Sequence, residues 1–282
     1  MYQTKLCLGV SGDLGMDTEE QIRLFHEIGF EGFFTGYDQK QLTYRRLADE
    51  LGMVYQSVHA PFVRIAKLWT GEEGASDVQN ELLCCINDCA DAGVPIMVCH
   101  AYIGFAPSAG PTLAGIERFR RVVEEAGKRG VRIAFENTEG EEYLAALMDA
   151  FKEYSHVGFC WDTGHELCYN YGKDLTALYG DRLFCTHLND NLGIRDYEGR
   201  ITWHDDLHLL PFDGICDWQD VTERLNRHGY DDILTFELNK TCSTNRHDKD
   251  SYRHMDAVEY IAQAYVRACR VAALKSRGKS GK

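Results

Sequence analysis

Short apolar segments alternate along the chain with longer segments in which apolar residues recur every three or four positions. The short segments are nearly continuous runs of apolar residues, which is typical of strands that are covered on both faces. Their alternation with helical patterns predicts βα units and a parallel sheet. We predict eight strands, at residues 5–10, 30–36, 54–59, 96–100, 131–136, 157–162, 183–188 and 233–238.

The predicted helices lie between these strands. In the first, residues 18–28, Ile22 and Phe25 fall on one face, Thr18 is the expected N-cap, and Gly29 is the expected stop. Eight βα units in about 270 residues match the size of a (β/α)8 TIM barrel. An open doubly wound sheet is the alternative, but no G-x-G-x-x-G follows the first strand, so a dinucleotide site is not supported. Further helices are predicted at residues 113–128, 141–154, 218–228 and 254–274.

No linker rich in Pro, Ser or Gly divides the chain, so we expect one domain over residues 1–275. The basic residues 276–282 are expected to form a short disordered tail. The 282 residues include 30 Lys and Arg against 44 Asp and Glu, and the formal charge of −14 argues against a broad nucleic-acid surface. A mean hydropathy of −0.36 without a long apolar run argues against a membrane protein.

Eleven cysteines suggest either disulfides or a reducing compartment. Because the first residues lack the basic and then apolar layout of a signal peptide, we expect a cytoplasmic protein. There Cys7, Cys84, Cys85, Cys160 and the others within apolar runs would pack as small hydrophobic side chains.

Candidate chemistry appears at the ends of the strands. In a TIM barrel all the carboxyl ends of the strands open on one face. Carboxylates and imidazoles gathered there without Lys or Arg need a cation to offset their desolvation and repulsion. The strand ends therefore predict a metal site made of His59, His100, Glu136, Asp162, His187 and Glu237.

Three more residues extend this set. His165 lies one turn beyond Asp162, and the D-x-H pair Asp206 and His208 puts two potential ligands on the same side of an extended segment. A solvated loop is the alternative interpretation of that pair.

Together these motifs resemble the xylose-isomerase-like TIM-barrel superfamily, and in particular its sugar phosphate isomerases and epimerases. The resemblance covers nearly the whole chain. It rests on HAPF at His59, CHAY at His100, FENT at Glu136, WDTGH at Asp162, THLNDN at His187, DDLHLLPFDG at Asp206 and FEL at Glu237.

The resemblance implies one divalent ion, held by Glu136, Asp162, His187 and Glu237. This oxygen-rich set suits Mn²⁺, Mg²⁺ or Co²⁺, and Zn²⁺ stays open. His165 is then expected to bind substrate oxygens, as are His59 and His100. A related branch, the endonuclease IV family, holds three zinc ions with nine ligands. All nine have counterparts of the right type here, so a two- or three-metal site stays open. These counterparts are His59, His100, Glu136, Asp162, His165, His187, Asp206, His208 and Glu237.

By this similarity we predict a sugar, sugar phosphate or keto-inositol isomerase or epimerase that transfers a proton next to a carbonyl through a metal-stabilised enediolate. Glu136 and Glu237 would be its two catalytic bases. The expected partner is a small sugar, with no nucleic acid and no membrane, and a homo-oligomer stays open. The alternatives are a zinc phosphodiesterase similar to endonuclease IV and a metal-dependent lyase acting on an oxidised sugar or glycoside. A Schiff-base aldolase is disfavoured, because the only lysine near a strand end is Lys240.

Loops are expected to select the substrate. Residues 189–214 form a long segment without periodicity, which predicts a lid over the metal site. It carries Arg195, a candidate for binding a phosphate or a sugar hydroxyl, together with Arg200, Trp203 and Phe212. A second candidate anion pocket follows His59 and contains Arg64, Lys67 and Trp69.

Overall fold

The computed structural model describes residues 4–105, 109–194, 201–242 and 247–279. The strands are β1 Leu6–Gly9, β2 Gly32–Gly36, β3 Val54–His59, β4 Ile96–His100, β5 Arg132–Glu136, β6 Val157–Asp162, β7 Leu183–His187 and β8 Leu234–Phe236. The helices are α1 Thr18–Ile28, α2 Gln41–Leu51, α3 Lys67–Thr70, α4 Ala75–Asp91, α5 Leu113–Arg129, α6 Glu141–Ala150, α7 Thr163–Cys168, α8 Thr176–Tyr179, α9 Trp218–Arg227 and α10 Ala257–Lys279.

The eight strands form one parallel sheet in which each strand from β1 to β7 pairs with its neighbour in sequence, while β8 pairs with β1. The seam between β7 and β8 is bridged where the Leu188 amide donates to the Thr235 carbonyl at 2.8 Å and the Glu237 amide donates to the Leu188 carbonyl at 3.3 Å. This confirms the predicted single-domain (β/α)8 barrel. None of the helices in the described ranges combines the length and the apolar content that a bilayer-spanning helix needs.

Two predicted helix ends are wrong. Helix α1 is capped by Asp17 rather than Thr18, because Asp17 forms a reciprocal capping box with Glu20, with hydrogen bonds of 2.9 and 3.0 Å. Helix α10 continues to Lys279, beyond the predicted helix end at residue 274. Within this part of α10, Lys275 is buried, because its long stem packs inside while its ammonium pairs with Asp231 at 3.4 Å. Residues 280–282 lie outside the described ranges.

Inside the barrel, small apolar side chains lie directly below the strand ends. Because strand residues alternate between faces, the residue two positions before each strand end points the same way as the end itself. Four such buried residues, Val98, Ala134, Cys160 and Cys185, form a separate apolar cluster with Ile96, which lies four positions before the end of β4. Burial raises the pKa of Cys160 well above its usual value, which keeps it a thiol. Among the cysteines expected to be packed, Cys84 is exposed instead.

Helix α7, which carries His165, is held against α9 by a buried ion pair. Arg224 on α9 donates to both carboxylate oxygens of Glu166 at 2.7 and 2.8 Å. The indole of Trp161 donates to Glu166 at 3.0 Å, and the guanidinium lies 4.3 Å from the centre of that indole. The residue next to His165 is therefore fixed from two sides.

We expect Arg224→Met to lower the free energy of unfolding by about 3–5 kcal/mol, because it leaves the buried Glu166 carboxylate without its partner. Urea unfolding followed by circular dichroism measures this. Arg227→Met on the same helix is the matched control, since 57% of the Arg227 side chain is exposed. Equal losses of unfolding free energy in the two variants would show that the buried pair of Arg224 and Glu166 contributes no more to stability than the exposed Arg227 does.

Candidate metal centre

The structure brings all six predicted strand-end residues together at the carboxyl end of the barrel. His59, His100 and Glu237 line a cavity of about 700 Å³, and the buried Glu136, Asp162 and His187 lie beside them. His165, Asp206 and His208 join them from α7 and from the loop after β7. All nine candidate ligands therefore lie together at this end of the barrel, as predicted. They are His59, His100, Glu136, Asp162, His165, His187, Asp206, His208 and Glu237.

Glu136 is the central residue of this group, and it is fully buried. One carboxylate oxygen lies 2.7 Å from Nδ1 of His187, and the other lies 3.1 Å from Nε2 of both His59 and His100. Burial alone would raise the pKa of Glu136, but the charge of His187 and the hydrogen bonds from the imidazoles hold it well below its usual value. Glu136 is therefore an ionised carboxylate, with His187 at one oxygen and with His59 and His100 at the other.

His187 lies between the two predicted catalytic glutamates. Its Nδ1 is 2.7 Å from Glu136 and 3.0 Å from Glu237, and its ring stacks on Phe34 with centroids 4.6 Å apart. Burial opposes protonation, but the two carboxylates raise the pKa of His187 well above its usual value. Burial likewise opposes ionisation of Glu237, yet His187 lowers the pKa of that carboxyl to about 2. In the protein alone, the imidazolium is the positive charge that these two carboxylates share.

A second arrangement surrounds Asp162 and Asp206. Asp162 ends β6 and caps α7, where its side chain accepts the His165 amide at 2.6 Å, and burial raises its pKa to about 6. Asp206 lies 3.2 Å from Nε2 of His165 and 2.9 Å from Nε2 of His208. Burial opposes protonation of His208, but Asp206 raises its pKa to about 9.

Three histidines orient their rings in the same way. Nδ1 of His59 donates to the Ala60 carbonyl at 2.9 Å, Nδ1 of His165 to the Asn137 carbonyl at 2.9 Å, and Nδ1 of His208 to the Glu237 carbonyl at 3.2 Å. With Nδ1 committed to a carbonyl, each ring directs Nε2 at a carboxylate, an arrangement that requires a proton or a cation between the two groups. Metal-binding histidines donate their second ring N–H to a carbonyl in this way.

The donor distances also fit an ion. The Nε2 atoms of His59 and His100 lie 3.2 Å apart, and each is 3.1 Å from Glu136. Donors around a tetrahedral ion at about 2.0–2.1 Å are separated by roughly 3.3–3.4 Å. Burial lowers the pKa of His100 to about 4, so its ring is neutral and able to bind.

Several donor groups share carboxylates. Glu136 belongs both to the group with His59 and His100 and to the four-residue group with Asp162, His187 and Glu237, while Asp162 also belongs to a group with His165 and His208. A fourth group adds the thiol of Cys160 beside Glu136 and His187, and the remaining donors are carboxylates and imidazoles. Such a set fits Mn²⁺, Mg²⁺, Co²⁺ or Zn²⁺.

The predicted lid is only partly correct. Asp190, near its start, is buried and accepts hydrogen bonds at 2.9 Å from the amides of Phe212 and Cys216 and from the indole of Trp218. Phe212 packs against Trp218 rather than over the metal donors, so both ends of the segment are part of the packed structure. Trp203 does lie at the cavity and is 61% exposed. Arg195 and Arg200 lie outside the described residues.

The second predicted anion pocket is wrong. Trp69 is buried between Phe119 and Tyr143, because its large ring fills the space beneath α5 and α6. Lys67 donates to the Glu73 carbonyl, away from the cavity lining. Arg64 alone reaches the cavity, and it pairs with Glu81.

Glu139 and Lys249 are titratable residues of the cavity lining that have no counterpart in the sequence-based predictions. Glu139 accepts a hydrogen bond from the Gly104 amide at 2.8 Å, and burial raises its pKa. In the sequence, the only indication that Glu139 belongs to the site is its position three residues after Glu136. Lys249, which is 3% exposed, also lines the cavity, whereas Lys240 does not belong to the lining.

A family model described as xylose isomerase-like TIM barrel matches residues 13–260. The chain is 30% identical over 228 residues to the uncharacterized protein y4fM of Sinorhizobium fredii (strain NBRC 101917 / NGR234), covering 68% of this chain and 69% of that protein. It is 31% identical over 129 residues to a probable endonuclease 4 of Methanoculleus marisnigri (strain ATCC 35101 / DSM 1498 / JR1), covering 37% of this chain and 45% of that one.

Solved structures share the fold at low sequence identity. A D-psicose 3-epimerase with D-tagatose from Clostridium cellulolyticum H10 has a TM-score of 0.72 at 14% identity, covering 95% of this chain and 99% of that one. The IolI protein with a bound zinc atom has a TM-score of 0.73 at 17% identity, covering 95% and 98%.

We expect the purified protein to contain at least one divalent ion per chain, measured by elemental analysis. An ion at 1,000 times its Kd would stabilise the fold by about 4 kcal/mol, so EDTA should lower Tm and Mn²⁺ should restore it. Glu136→Gln should reduce both the bound metal and the shift in Tm, whereas Glu142→Gln, an exposed change on α6, should alter neither. A metal-free protein whose Tm ignores both EDTA and Mn²⁺ would contradict this expectation.

Proposed function

The chain belongs to the xylose isomerase-like TIM barrel family, and on this premise we propose that it is a metal-dependent isomerase or epimerase of a sugar, a sugar phosphate or a keto-inositol. The observation that supports this most directly is the pair of glutamates on either side of His187, at 2.7 and 3.0 Å. Two ionised carboxylates that converge on one point from different strands suit removal of a proton at one position and its return at another.

The divalent ion would be held by Glu136, Asp162, His187 and Glu237, where it would act as a Lewis acid for substrate oxygens. Glu237 lines the cavity, and its side chain is 25% exposed, so we assign it the removal of the proton next to the carbonyl. For epimerisation, Glu136 would take up a proton from solvent and donate it to the opposite face of the carbon, while Glu237 would release to solvent the proton that it removed. Return by Glu237 to the neighbouring carbon would give isomerisation.

His165 would orient the substrate. Its ring lines the cavity, and the Asn137 carbonyl fixes Nδ1 at 2.9 Å, so Nε2 is directed to the side of Asp206. Burial opposes protonation of this ring, but Asp162 and Asp206 raise the pKa of His165 well above its usual value. A protonated Nε2 donates a hydrogen bond, and an oxygen of a sugar is a suitable acceptor.

The cavity has room for a sugar and more. At roughly 30 Å³ for each water molecule, about 700 Å³ corresponds to about 23 waters, about twice the number of non-hydrogen atoms in a hexose. Phe62, Phe105 and Trp203 line part of it and are partly exposed. This space is consistent with a substituted sugar as well as with a free ketose.

A zinc phosphodiesterase similar to endonuclease IV is the second candidate function. It is favoured by the sharing of Glu136 and Asp162 between donor groups, which suits several ions, and by the 31% identity to a probable endonuclease 4. The charge of −14 opposes it, because a DNA duplex requires several cationic contacts to phosphates. The described cavity lining supplies only Arg64 and Lys249 as such cations, and Arg64 is already paired with Glu81.

We expect Glu237→Gln to reduce turnover by about 10² or more, because the amide keeps the shape of the side chain but is not a base. The assay is NMR in D₂O on ketoses, ketose phosphates and keto-inositols with added Mn²⁺, in which the altered sugar is seen with or without deuterium uptake. Glu81→Gln, at the cavity but outside the metal groups, is the control and should keep its activity.

The same protein should leave duplex DNA with an abasic site intact at physiological salt. Zinc-dependent incision of that DNA, together with no change in any of the sugars, would favour the phosphodiesterase over the isomerase.

A further inference from the structure

A buried lysine stands at the otherwise acidic cavity. Lys249 lies in the loop between β8 and α10, directly before the short 3₁₀ helix Asp250–Tyr252. Its side chain is 3% exposed and lines the same cavity as Asp206, His208 and Glu237. The proposed proton transfer makes no use of it.

The ammonium of Lys249 has one hydrogen bond, which Nζ donates to the Thr241 carbonyl at 2.7 Å. Among the residues that the structure describes, Lys249 forms no ion pair with a carboxylate within 4 Å. Burial lowers its pKa to about 8, although Asp13 and Asp206 act in the opposite direction from farther away. At pH 7 most of the amine is therefore still charged, and a buried charge without a direct partner is unfavourable.

The loop around Lys249 is held by the loop after β1. Asp13 accepts the Thr241 amide at 2.7 Å and the Thr241 hydroxyl at 3.0 Å, and it also accepts the Ser11 hydroxyl at 2.6 Å. The Ser11 oxygen also lies 3.1 Å from the side-chain amide of Asn239, a second polar residue of the cavity lining. The carbonyl that anchors Lys249 is thus fixed by a network that joins the loops after β1 and β8.

We propose that Lys249 is a specificity-determining residue that pairs with an anionic group, a carboxylate or a phosphate, carried by the substrate. This rests on the proposed function and narrows its substrate class to sugar acids or sugar phosphates. Arg64, the other Lys or Arg of the described lining, is already paired with Glu81, and the lining histidines His165 and His208 lie against Asp206, so Lys249 is the cation left for a ligand. A charged hydrogen bond to the substrate anion would supply the partner that the protein itself does not.

The test compares three ketoses of similar size that differ in charge: D-fructose, D-fructose 6-phosphate and D-fructuronate. Their binding to the Mn²⁺-loaded full chain is measured by isothermal titration calorimetry. We expect one charged ketose to bind at least about tenfold more tightly than D-fructose, which corresponds to about 1.4 kcal/mol. The phosphate and the uronate arms show which anion the site takes.

Variants separate Lys249 from the metal. Lys249→Met keeps the length of the side chain and should weaken binding of the preferred charged ketose about tenfold while leaving D-fructose unchanged. Lys249→Arg should restore part of the preference, and Lys240→Met, a lysine outside the lining on the same loop, should behave as wild type. Metal content and Tm, measured for each variant, report whether it is folded.

Two results overturn the proposal. One is that wild-type protein binds neither charged ketose more tightly than D-fructose, and the other is that folded Lys249→Met keeps the full preference. If ketoses are still altered in the D₂O assay, only the role of Lys249 fails. If no ketose of any charge is bound or altered, the proposed function itself fails.

Discussion

The structure depends on the burial of several carboxylates at one end of the barrel, above a cluster of apolar side chains. Glu136 and Asp162 are fully buried, and Glu237 approaches from the last strand. Charges in such a place require partners of opposite sign. In the protein alone His187 supplies part of that charge as an imidazolium, and the carbonyl-bound Nδ1 atoms of three histidines leave Nε2 directed at carboxylates. A divalent ion meets the same requirement with donors that are already oriented.

The surrounding fold keeps these donors in place. The cluster around Val98, Ala134, Cys160 and Cys185 fills the barrel beneath them, so the strand ends rest on a packed base. The pairing of Arg224 with Glu166 fixes the helix that carries His165. The rigid base is the same whether the chemistry is proton transfer on a sugar or cleavage of a phosphodiester. The two reactions place different demands on the rim of the cavity, because binding DNA requires cations there. In the described cavity lining, acidic residues outnumber Lys and Arg.

The sequence predicts the base of the site better than its rim. Strands β3, β4 and β6 match their predicted bounds, and their last residues His59, His100 and Asp162 occupy the site, because one apolar run ends at one edge of a parallel barrel. Lys249 was missed, since a loop residue owes its position to contacts between distant segments. Local patterns also misplaced the cap of α1 and the end of α10, where neighbouring side chains and tertiary packing decide the outcome.

The central claim is that the convergent carboxylates and imidazoles hold a divalent ion. Anomalous diffraction at the manganese edge, from crystals grown with Mn²⁺, tests it most directly. We expect an anomalous peak bonded to Glu136, Asp162, His187 and Glu237, with His187 no longer hydrogen-bonded between the two glutamates. A map without a peak at these residues, in which His187 still bridges Glu136 and Glu237, would contradict it.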